Sequence, residues 1–203
     1  MKFYDLPASP NARRVRILLA EKGLEIPTEI VDMTKGENQT PEYLAKNPLG
    51  RMPLLALDDG RYLAESGAIC RYLDELHPEP PLFGRGVEGR ALVEMWHRRM
   101  EIEVLMPMIA MFVHGHPMWK GRLPQVPEWG EINRSNLAGK MVWLDHELAD
   151  RDFIAGDAYT VADIVGQCAF VMGKAALNFP IPEEHENLTA WFERVSSRPT
   201  ARA

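Results

Sequence analysis

The sequence predicts an α/β domain followed by an all-α domain, and three observations support this division. Up to residue 76, short apolar runs typical of strands alternate with amphipathic helical patterns. Residues 77–86, HPEPPLFGRG, hold three prolines and two glycines and interrupt both patterns. Beyond them every apolar pattern is helical, and none resembles a pair of strands. We therefore expect domains at residues 1–78 and 87–203, joined by a linker at 79–86.

The α/β domain opens with a strand, a helix and a second strand. Residues 2–6 and residues 26–33 have the residue types of strands. Between them the segment 11–22 places its apolar side chains on one helical face, and Gly23 ends the helix. Two strands separated by one helix predict a β-α-β unit with a right-handed crossover.

A hairpin and two more helices complete this domain. The apolar runs 54–57 and 62–64 flank an Asp-Gly pair at residues 59–60, which is a strong hairpin signal. A helix follows over residues 66–76, and a short one is expected at residues 41–46. The predicted order is therefore β-α-β-α-β-β-α.

The all-α domain is predicted to contain four helices, over residues 87–113, 130–150, 160–176 and 187–196. Pro107 is expected to kink the first of them. The third begins with Thr160-Val-Ala-Asp163, a capping box that we interpret as structural.

Composition excludes several classes of function. Apolar residues make up 46% of the 203 residues, as in a globular protein with a real core, and no apolar run is long enough for a membrane span. The net charge of −6 argues against nucleic acid as a partner. Neither the two cysteines, Cys70 and Cys168, nor the six histidines have metal-ligand spacing, so no metal site is predicted. The N-terminus lacks the apolar core of a signal peptide, so we expect a cytoplasmic protein.

Three motifs resemble the cytosolic glutathione transferases, in particular serine-type bacterial zeta- or theta-like members. They are SPNARRVRILLAEKG at 9–23, NPLGRMPLLALDDGRYLAESGAICRYL at 47–73 and YTVADI at 159–164. The resemblance covers essentially the whole chain. It implies a thioredoxin-like, glutathione-binding domain at 1–78 and a helical domain carrying the electrophile site at 87–203. It also implies a homodimeric transferase that conjugates glutathione, as co-substrate and without a cofactor, to small hydrophobic electrophiles.

Glu65 and Ser66 stand where the last strand of the α/β domain gives way to a helix. A helix N-terminus has unpaired N–H groups and a partial positive charge, so it attracts a carboxylate. By residue type Ser66 is a good N-cap, and a plain cap is one interpretation. The resemblance implies another: Ser66 and the first amides bind the γ-glutamyl carboxylate of glutathione, and Glu65 binds its ammonium group.

The resemblance also assigns roles to the segment before the hairpin. It implies that Pro53 follows a cis peptide bond and that the backbone of Met52 pairs with the cysteinyl part of glutathione, as an added strand would. Arg51 is implied to reach the glycyl carboxylate. A solvated surface charge is the alternative for Arg51.

Ser9 follows the first strand and precedes the first helix, where the family has its activating serine. A thiol with a pKa of about 8.5 needs about 2.7 kcal/mol of preferential anion binding to lower that pKa by two units. The Ser9 hydroxyl and the first amides of the helix are suitable donors. Asn11 is a second candidate, and a purely capping Ser9 is the alternative. Cysteine-type relatives have a thiol at this turn, and zeta-type relatives have adjacent serines and a cysteine. This turn has neither, so the resemblance argues against disulfide exchange and isomerase activity.

Six of the eleven methionines lie between residues 95 and 118, in and just after the first helix of the all-α domain. Methionine provides adaptable apolar surface, although it also fills cores. We predict an electrophile pocket formed by Met108, Met111, Phe112 and His114. Two alternatives remain for the whole chain: a non-catalytic interaction module with this fold, or a glutathione-dependent peroxidase or dehalogenase that uses the same site.

Overall fold

The computed structural model describes residues 1–203, and the chain divides into two compact units. The first comprises Met1–Leu82 with Arg202–Ala203, and the second comprises Phe83–Ala201. The division falls within the predicted linker at residues 79–86.

The first unit contains four strands and three helices in the predicted order. The strands are β1 (Lys2–Asp5), β2 (Thr28–Ile30), β3 (Leu54–Ala56) and β4 (Tyr62–Ala64), and the helices are α1 (Pro10–Glu21), α2 (Pro41–Lys46) and α3 (Ser66–Leu76). The sheet order is β2-β1-β3-β4, with β1 and β2 parallel and β3 antiparallel to both of its neighbours. The thioredoxin-like fold class is confirmed.

The register of the sheet decides which loops meet. Tyr4 lies opposite Leu54, which lies opposite Ala64 on its other side. Because β3 runs antiparallel to β1 and β4, its N-terminal end lies beside the C-terminal ends of both. The segments that follow Asp5, precede Leu54 and follow Ala64 therefore leave from the same end of the sheet.

Strand β2 is shorter than the predicted 26–33. Its three residues pair with β1 at the edge of the sheet, and all three are exposed. Shortly after the strand, Asp32 accepts a hydrogen bond from the Thr34 amide at 2.8 Å and caps a 3₁₀ turn at Met33–Lys35. This local cap competes with continued strand pairing, as aspartate caps commonly do.

The second unit is helical. Its helices are α4 (Gly86–Arg99), α5 (Met106–Gly115), α6 (Pro127–Glu147), α7 (Val161–Ala176) and α8 (Glu186–Ser196). Most residues of α7 are buried, and its side chains pack in one apolar core with α4, α6 and α8. No helix of the chain is both long enough and apolar enough to cross a bilayer.

The prediction of one uninterrupted helix over 87–113 is wrong in one respect, because a π-helical segment at Met100–Leu105 separates α4 from α5. The amide of Met106 donates to the carbonyl of Glu101, five residues earlier. Pro107 is the next residue and lies in the first turn of α5. A proline is tolerated there because its missing N–H has no partner to lose. The disturbance expected at Pro107 takes the form of a π segment.

The capping box of α7 is present. The carboxylate of Asp163 accepts hydrogen bonds from the Thr160 amide and hydroxyl at 2.8 and 3.1 Å. Its other oxygen accepts from the Ile154 amide at 2.8 Å and the Trp191 indole at 2.9 Å. Burial raises the pKa of Asp163, and these donors oppose the rise. Both cysteines, Cys70 and Cys168, are buried and form no disulfide.

Candidate functional site

The residues predicted to bind glutathione come together at one end of the sheet of the first unit. Ser9 lies between β1 and α1, Met52 lies just before β3, and Glu65 lies between β4 and α3. The sheet register brings these three connections to the same end. The remaining predicted residues are their immediate neighbours, Asn11, Arg51, Pro53 and Ser66.

Glu65, not Ser66, is the N-cap of α3, which corrects the assignment made from residue type. Ser66 is the first helical residue, and the backbone of Glu65 has φ +66°. Ala64 ends β4 and Ser66 begins α3, so one residue makes the whole change of direction. A positive φ is unfavourable for a glutamate, and such strain clusters at functional sites.

The start of α3 is rich in unpaired polar groups. The first hydrogen bond of the helix runs from the Ile69 amide to the Glu65 carbonyl at 2.9 Å, and the three preceding amides have no partner in the chain. The Glu65 side chain is exposed and makes neither a cap hydrogen bond nor an ion pair. Amides and a hydroxyl that attract an anion therefore adjoin a carboxylate that attracts a cation.

Met52 presents unpaired backbone groups. The Met52–Pro53 peptide bond is cis, as predicted. The side chain of Met52 is 8% exposed and packs with Tyr4, Tyr43 and Leu54, whereas its backbone N–H and C=O have no partner in the chain. The exposed side chain of Arg51, one residue earlier, forms no ion pair.

The spacing of these groups suits a short extended peptide. Adjacent strands lie about 4.8 Å apart, so the ends of β4 and β1, separated by β3, are about 10 Å apart. A fully extended tripeptide spans about 10 Å. A tripeptide that begins at Glu65 would bring its middle residue to Met52, at the same end of the sheet as the turn that carries Ser9.

Ser9 is the N-cap of α1. Its hydroxyl oxygen accepts a hydrogen bond from the Ala12 amide at 3.4 Å, which is long. A hydroxyl has one hydrogen to donate besides its acceptor sites, and that hydrogen remains free for a ligand. Asn11 lies in the first turn of the same helix and is half-buried. The capping role of Ser9 is present, and its catalytic role stays a prediction.

The four residues predicted as an electrophile pocket do not share one surface. Met108 and Met111 are 0% and 3% exposed and belong to the core of the second unit. Phe112 is half-buried, with its ring 4.8 Å from that of His116. His114 is also half-buried, and its Nδ1 accepts a hydrogen bond from the Val126 amide at 3.1 Å. Of the four, only Phe112 and His114 offer accessible surface.

Sequence reasoning missed the side chains that hold the Met52 segment. Tyr43 and Asn47 both donate hydrogen bonds to the carbonyl of Arg51, at 2.9 and 2.8 Å. The side-chain amide of Asn38 donates to the carbonyl of Gly50 at 2.7 Å. The one sequence signal for these contacts was Tyr43, a large aromatic residue within the otherwise polar segment 34–47.

Comparisons with known proteins agree with this geometry. Residues 3–81 match the family described as "Glutathione S-transferase, N-terminal domain", and residues 125–199 match "Glutathione S-transferase, C-terminal domain". "Glutathione S-transferase 2" of Saccharomyces cerevisiae is 37% identical over 209 residues, covering 100% of this chain and 88% of the yeast protein. Human "Glutathione S-transferase theta-2B" is 31% identical, covering 96% of this chain and 80% of the human protein.

Solved structures give the same result. The crystal structure of Gtt2 from Saccharomyces cerevisiae aligns with a TM-score of 0.93 at 36% identity, covering 100% of this chain and 99% of that one. A class Gtt2 glutathione S-transferase of Vibrio parahaemolyticus aligns with a TM-score of 0.87 at 34% identity, covering 100% and 96%. The chain belongs to the glutathione S-transferase family. The predicted enzyme class, a transferase, is confirmed.

Proposed function

We propose that the chain is a serine-type, zeta- or theta-like transferase that joins glutathione to small hydrophobic electrophiles. One observation carries this assignment. Unpaired helix amides, an unpaired carboxylate at Glu65 and the unpaired backbone groups of Met52 lie at one end of the sheet, at the spacing of an extended tripeptide. Glutathione is a tripeptide whose charged and polar groups complement each of them.

Each part of glutathione has a complementary group in this proposal. The γ-glutamyl carboxylate accepts hydrogen bonds from the Ser66 hydroxyl and the first amides of α3, and the ammonium group pairs with Glu65. The cysteinyl backbone bonds to the N–H and C=O of Met52 in the manner of an added strand. The glycyl carboxylate is within the reach expected for the exposed Arg51.

Ser9 stabilises the thiolate. Its hydroxyl donates to the sulfur anion, and the N-terminus of α1 adds a partial positive charge. The thiolate then attacks an electrophilic carbon, the C–S bond forms, and the leaving group departs with its electron pair. Asn11, in the first turn of the same helix, is the second candidate for this hydrogen bond.

The electrophile is assigned to the second unit, at Phe112 and His114. Both side chains are half-buried, whereas Met108 and Met111 lie in the core of the second unit. The ring of Phe112 provides apolar surface for a small hydrophobic molecule.

A homodimer is the proposed assembly. Large apolar side chains are exposed along one stretch of α4, the π segment and the start of α5, namely Leu92, Met95, Ile102 and Met106, with exposures of 36–56%. They recur at helical intervals, and a stripe of this kind marks an association surface. A cytoplasmic location stays a prediction.

Calorimetric titration with glutathione tests the proposed site. Glu65→Gln removes the charge that pairs with the ammonium group, and Arg51→Ala removes the charge that pairs with the glycyl carboxylate. Each is expected to weaken binding by about tenfold or more, because each removes a charge-assisted contact. The matched controls are Glu75→Gln, on the exposed far end of α3, and Arg61→Ala, which pairs with Asp59 in the hairpin turn. Unchanged binding in both test variants would exclude this site.

The reaction type is tested with two substrates. The protein is expected to conjugate an aryl halide, and reduction of a hydroperoxide at a higher rate would favour a peroxidase instead.

A further inference from the structure

The segment that precedes β3 is held by side chains that do not themselves face the glutathione site. The carbonyl of Arg51 accepts two hydrogen bonds, from the Tyr43 hydroxyl at 2.9 Å and from the Asn47 side-chain amide at 2.8 Å. Tyr43 and Asn47 are each 4% exposed. The two buried donors occupy both lone pairs of this carbonyl oxygen.

These donors determine the direction of the neighbouring amide. The peptide bond between Arg51 and Met52 is trans, since the cis bonds of the chain lie elsewhere. In a trans peptide unit the C=O and the N–H lie in one plane and point in opposite directions. Because the Arg51 carbonyl points towards Tyr43 and Asn47, the Met52 N–H points away from them and remains unpaired.

The side chain of Met52 is anchored in the same place. Its sulfur lies 2.9 Å from the Tyr43 hydroxyl, and the two side chains share one apolar cluster with Tyr4. Burial raises the pKa of Tyr43 to about 12, so the hydroxyl keeps its hydrogen, and remains a donor, at any pH at which the enzyme works.

Asn47 connects this segment to the end of α2. It follows the last residue of α2, and its side-chain oxygen accepts from the Leu49 amide at 3.3 Å while its nitrogen donates to Arg51. Its backbone carbonyl accepts from the Gly50 amide at 2.9 Å. Asn47 therefore hydrogen-bonds to the loop on both sides of Gly50. Gly50 itself has φ +59°, and a β-carbon there would collide with the side chain of Gln39, so the position requires glycine.

We propose that Tyr43 and Asn47 are positioning residues for glutathione, because they fix the Arg51–Met52 peptide plane so that the Met52 backbone meets the cysteinyl part of the tripeptide. This inference rests on the proposed function. It assigns a role in substrate affinity to a short helix that contains none of the contact residues.

The first test replaces Tyr43 by phenylalanine, which removes the hydroxyl and keeps the buried ring. The KM for glutathione is expected to rise by about three- to tenfold, the effect of losing one neutral hydrogen bond. The kcat and the KM for the electrophile are expected to stay unchanged, since the cysteinyl backbone is bound alike in the ground state and the transition state.

Tyr4→Phe is the matched control. Tyr4 is 5% exposed and lies in the same cluster with its ring 6.2 Å from that of Tyr43, but it makes no hydrogen bond to Arg51. Thermal unfolding of both variants measures any shared loss of stability. A purely structural role for Tyr43 predicts lower melting temperatures with no change in the KM for glutathione, and that result would overturn the inference.

Asn47→Ser removes the side-chain amide that donates to Arg51 and leaves a shorter side chain, and it keeps the test informative if one variant folds poorly. The double variant Tyr43→Phe/Asn47→Ser is expected to raise the KM by more than the product of the single effects, because only then does the Arg51 carbonyl lose both partners. Calorimetric titration of the wild type with glutathione separates the proposed function from the positioning role of Tyr43 and Asn47. No glutathione binding would overturn the proposed function, whereas binding with an unchanged KM in both single variants and in the double variant would overturn only the positioning role.

Discussion

The ammonium group of Lys22 lies 2.7 Å from the carboxylate of Asp74, and both side chains are buried. Lys22 follows the last residue of α1, and Asp74 lies in the last turns of α3. The same ammonium group donates to the carbonyls of His77 and Pro80, at 2.6 and 2.7 Å. All three of its hydrogens are thus used, and they tie the ends of two helices to the chain that leaves α3.

Lys22→Met should destabilise the protein strongly. The methionine fills similar space, but Asp74 then keeps a buried charge with only the Leu82 amide as a partner. Breaking a buried ion pair on one side costs about 3–5 kcal/mol, so the free energy of unfolding in urea should fall by that amount. Lys35→Met is the control, because Lys35 is exposed and pairs with Asp32 at the surface. Equal effects of the two variants would contradict the importance of the buried pair.

Ser9→Ala should raise the pKa of the glutathione thiol in the complex. One charge-assisted hydrogen bond contributes about 1.5–3 kcal/mol, which corresponds to a rise of about one to two pKa units. Turnover at neutral pH should fall while glutathione binding changes little. The thiolate absorbance of the complex, followed against pH, measures the shift directly.

Ser9→Thr keeps the hydroxyl and is expected to preserve a low thiol pKa. If Ser9→Ala keeps the wild-type turnover and the wild-type thiol pKa, Asn11 or the α1 amides are the activating group. Asn11→Ala is then the variant that distinguishes these two.

Gly166→Ala should destabilise the second unit. A β-carbon there would lie 2.8 Å from the ring of Trp191 and 2.9 Å from the terminal methyl of Met100. Overpacking of this kind costs about 1–3 kcal/mol. Gly139→Ala is expected to stabilise the protein instead. That position on α6 is exposed, a β-carbon there would have nothing within 4 Å, and alanine favours a helix over glycine. Urea unfolding of both variants measures the change in the free energy of unfolding. An unchanged free energy for Gly166→Ala would mean that the core relaxes around the added methyl group.

Asp163→Asn should also destabilise the second unit. The side-chain amide can accept at one atom only, so two of the four donors around residue 163 lose their acceptor. Each buried donor left unpaired costs about 1–3 kcal/mol. Unfolding by urea at neutral pH measures the loss.

The effect of Asp163→Asn should depend on pH with a defined sign. The pKa of Asp163 is raised in the folded protein, so the unfolded chain ionises first as pH rises above about 4. The wild type therefore loses some stability between that pH and the raised pKa, whereas the asparagine variant does not. The gap in stability between the two proteins should narrow as pH rises, and a gap that widens would contradict the raised pKa.

Local patterns were sufficient to predict most of the first unit. The Asp-Gly turn at residues 59–60 and the periodicity of residues 66–76 identify the hairpin and α3, because both signals depend on neighbours in the chain. The N-cap of α3 was assigned wrongly, since residue type favours Ser66 and the backbone conformation selects Glu65. That conformation depends on how directly β4 leads into α3, which is a tertiary property.

The features that sequence patterns missed depend on contacts distant along the chain. Pro107 indicated a disturbed helix, but no local signal specified that the disturbance would be a π segment at Met100–Leu105. Tyr43 and Asn47 looked like ordinary residues of a polar helix end, because their partner at residue 51 becomes visible only when the loop is folded.

The two cysteines of the chain have a consequence for an enzyme that handles reactive compounds. Cys70 and Cys168 are 0% and 1% exposed, one in each unit. Alkylation requires an accessible thiolate, and a thiol in apolar surroundings is both shielded and slow to ionise. The protein therefore carries no accessible thiol of its own that competes with the bound tripeptide, and its substrates have no easy route to inactivate it by modifying a cysteine.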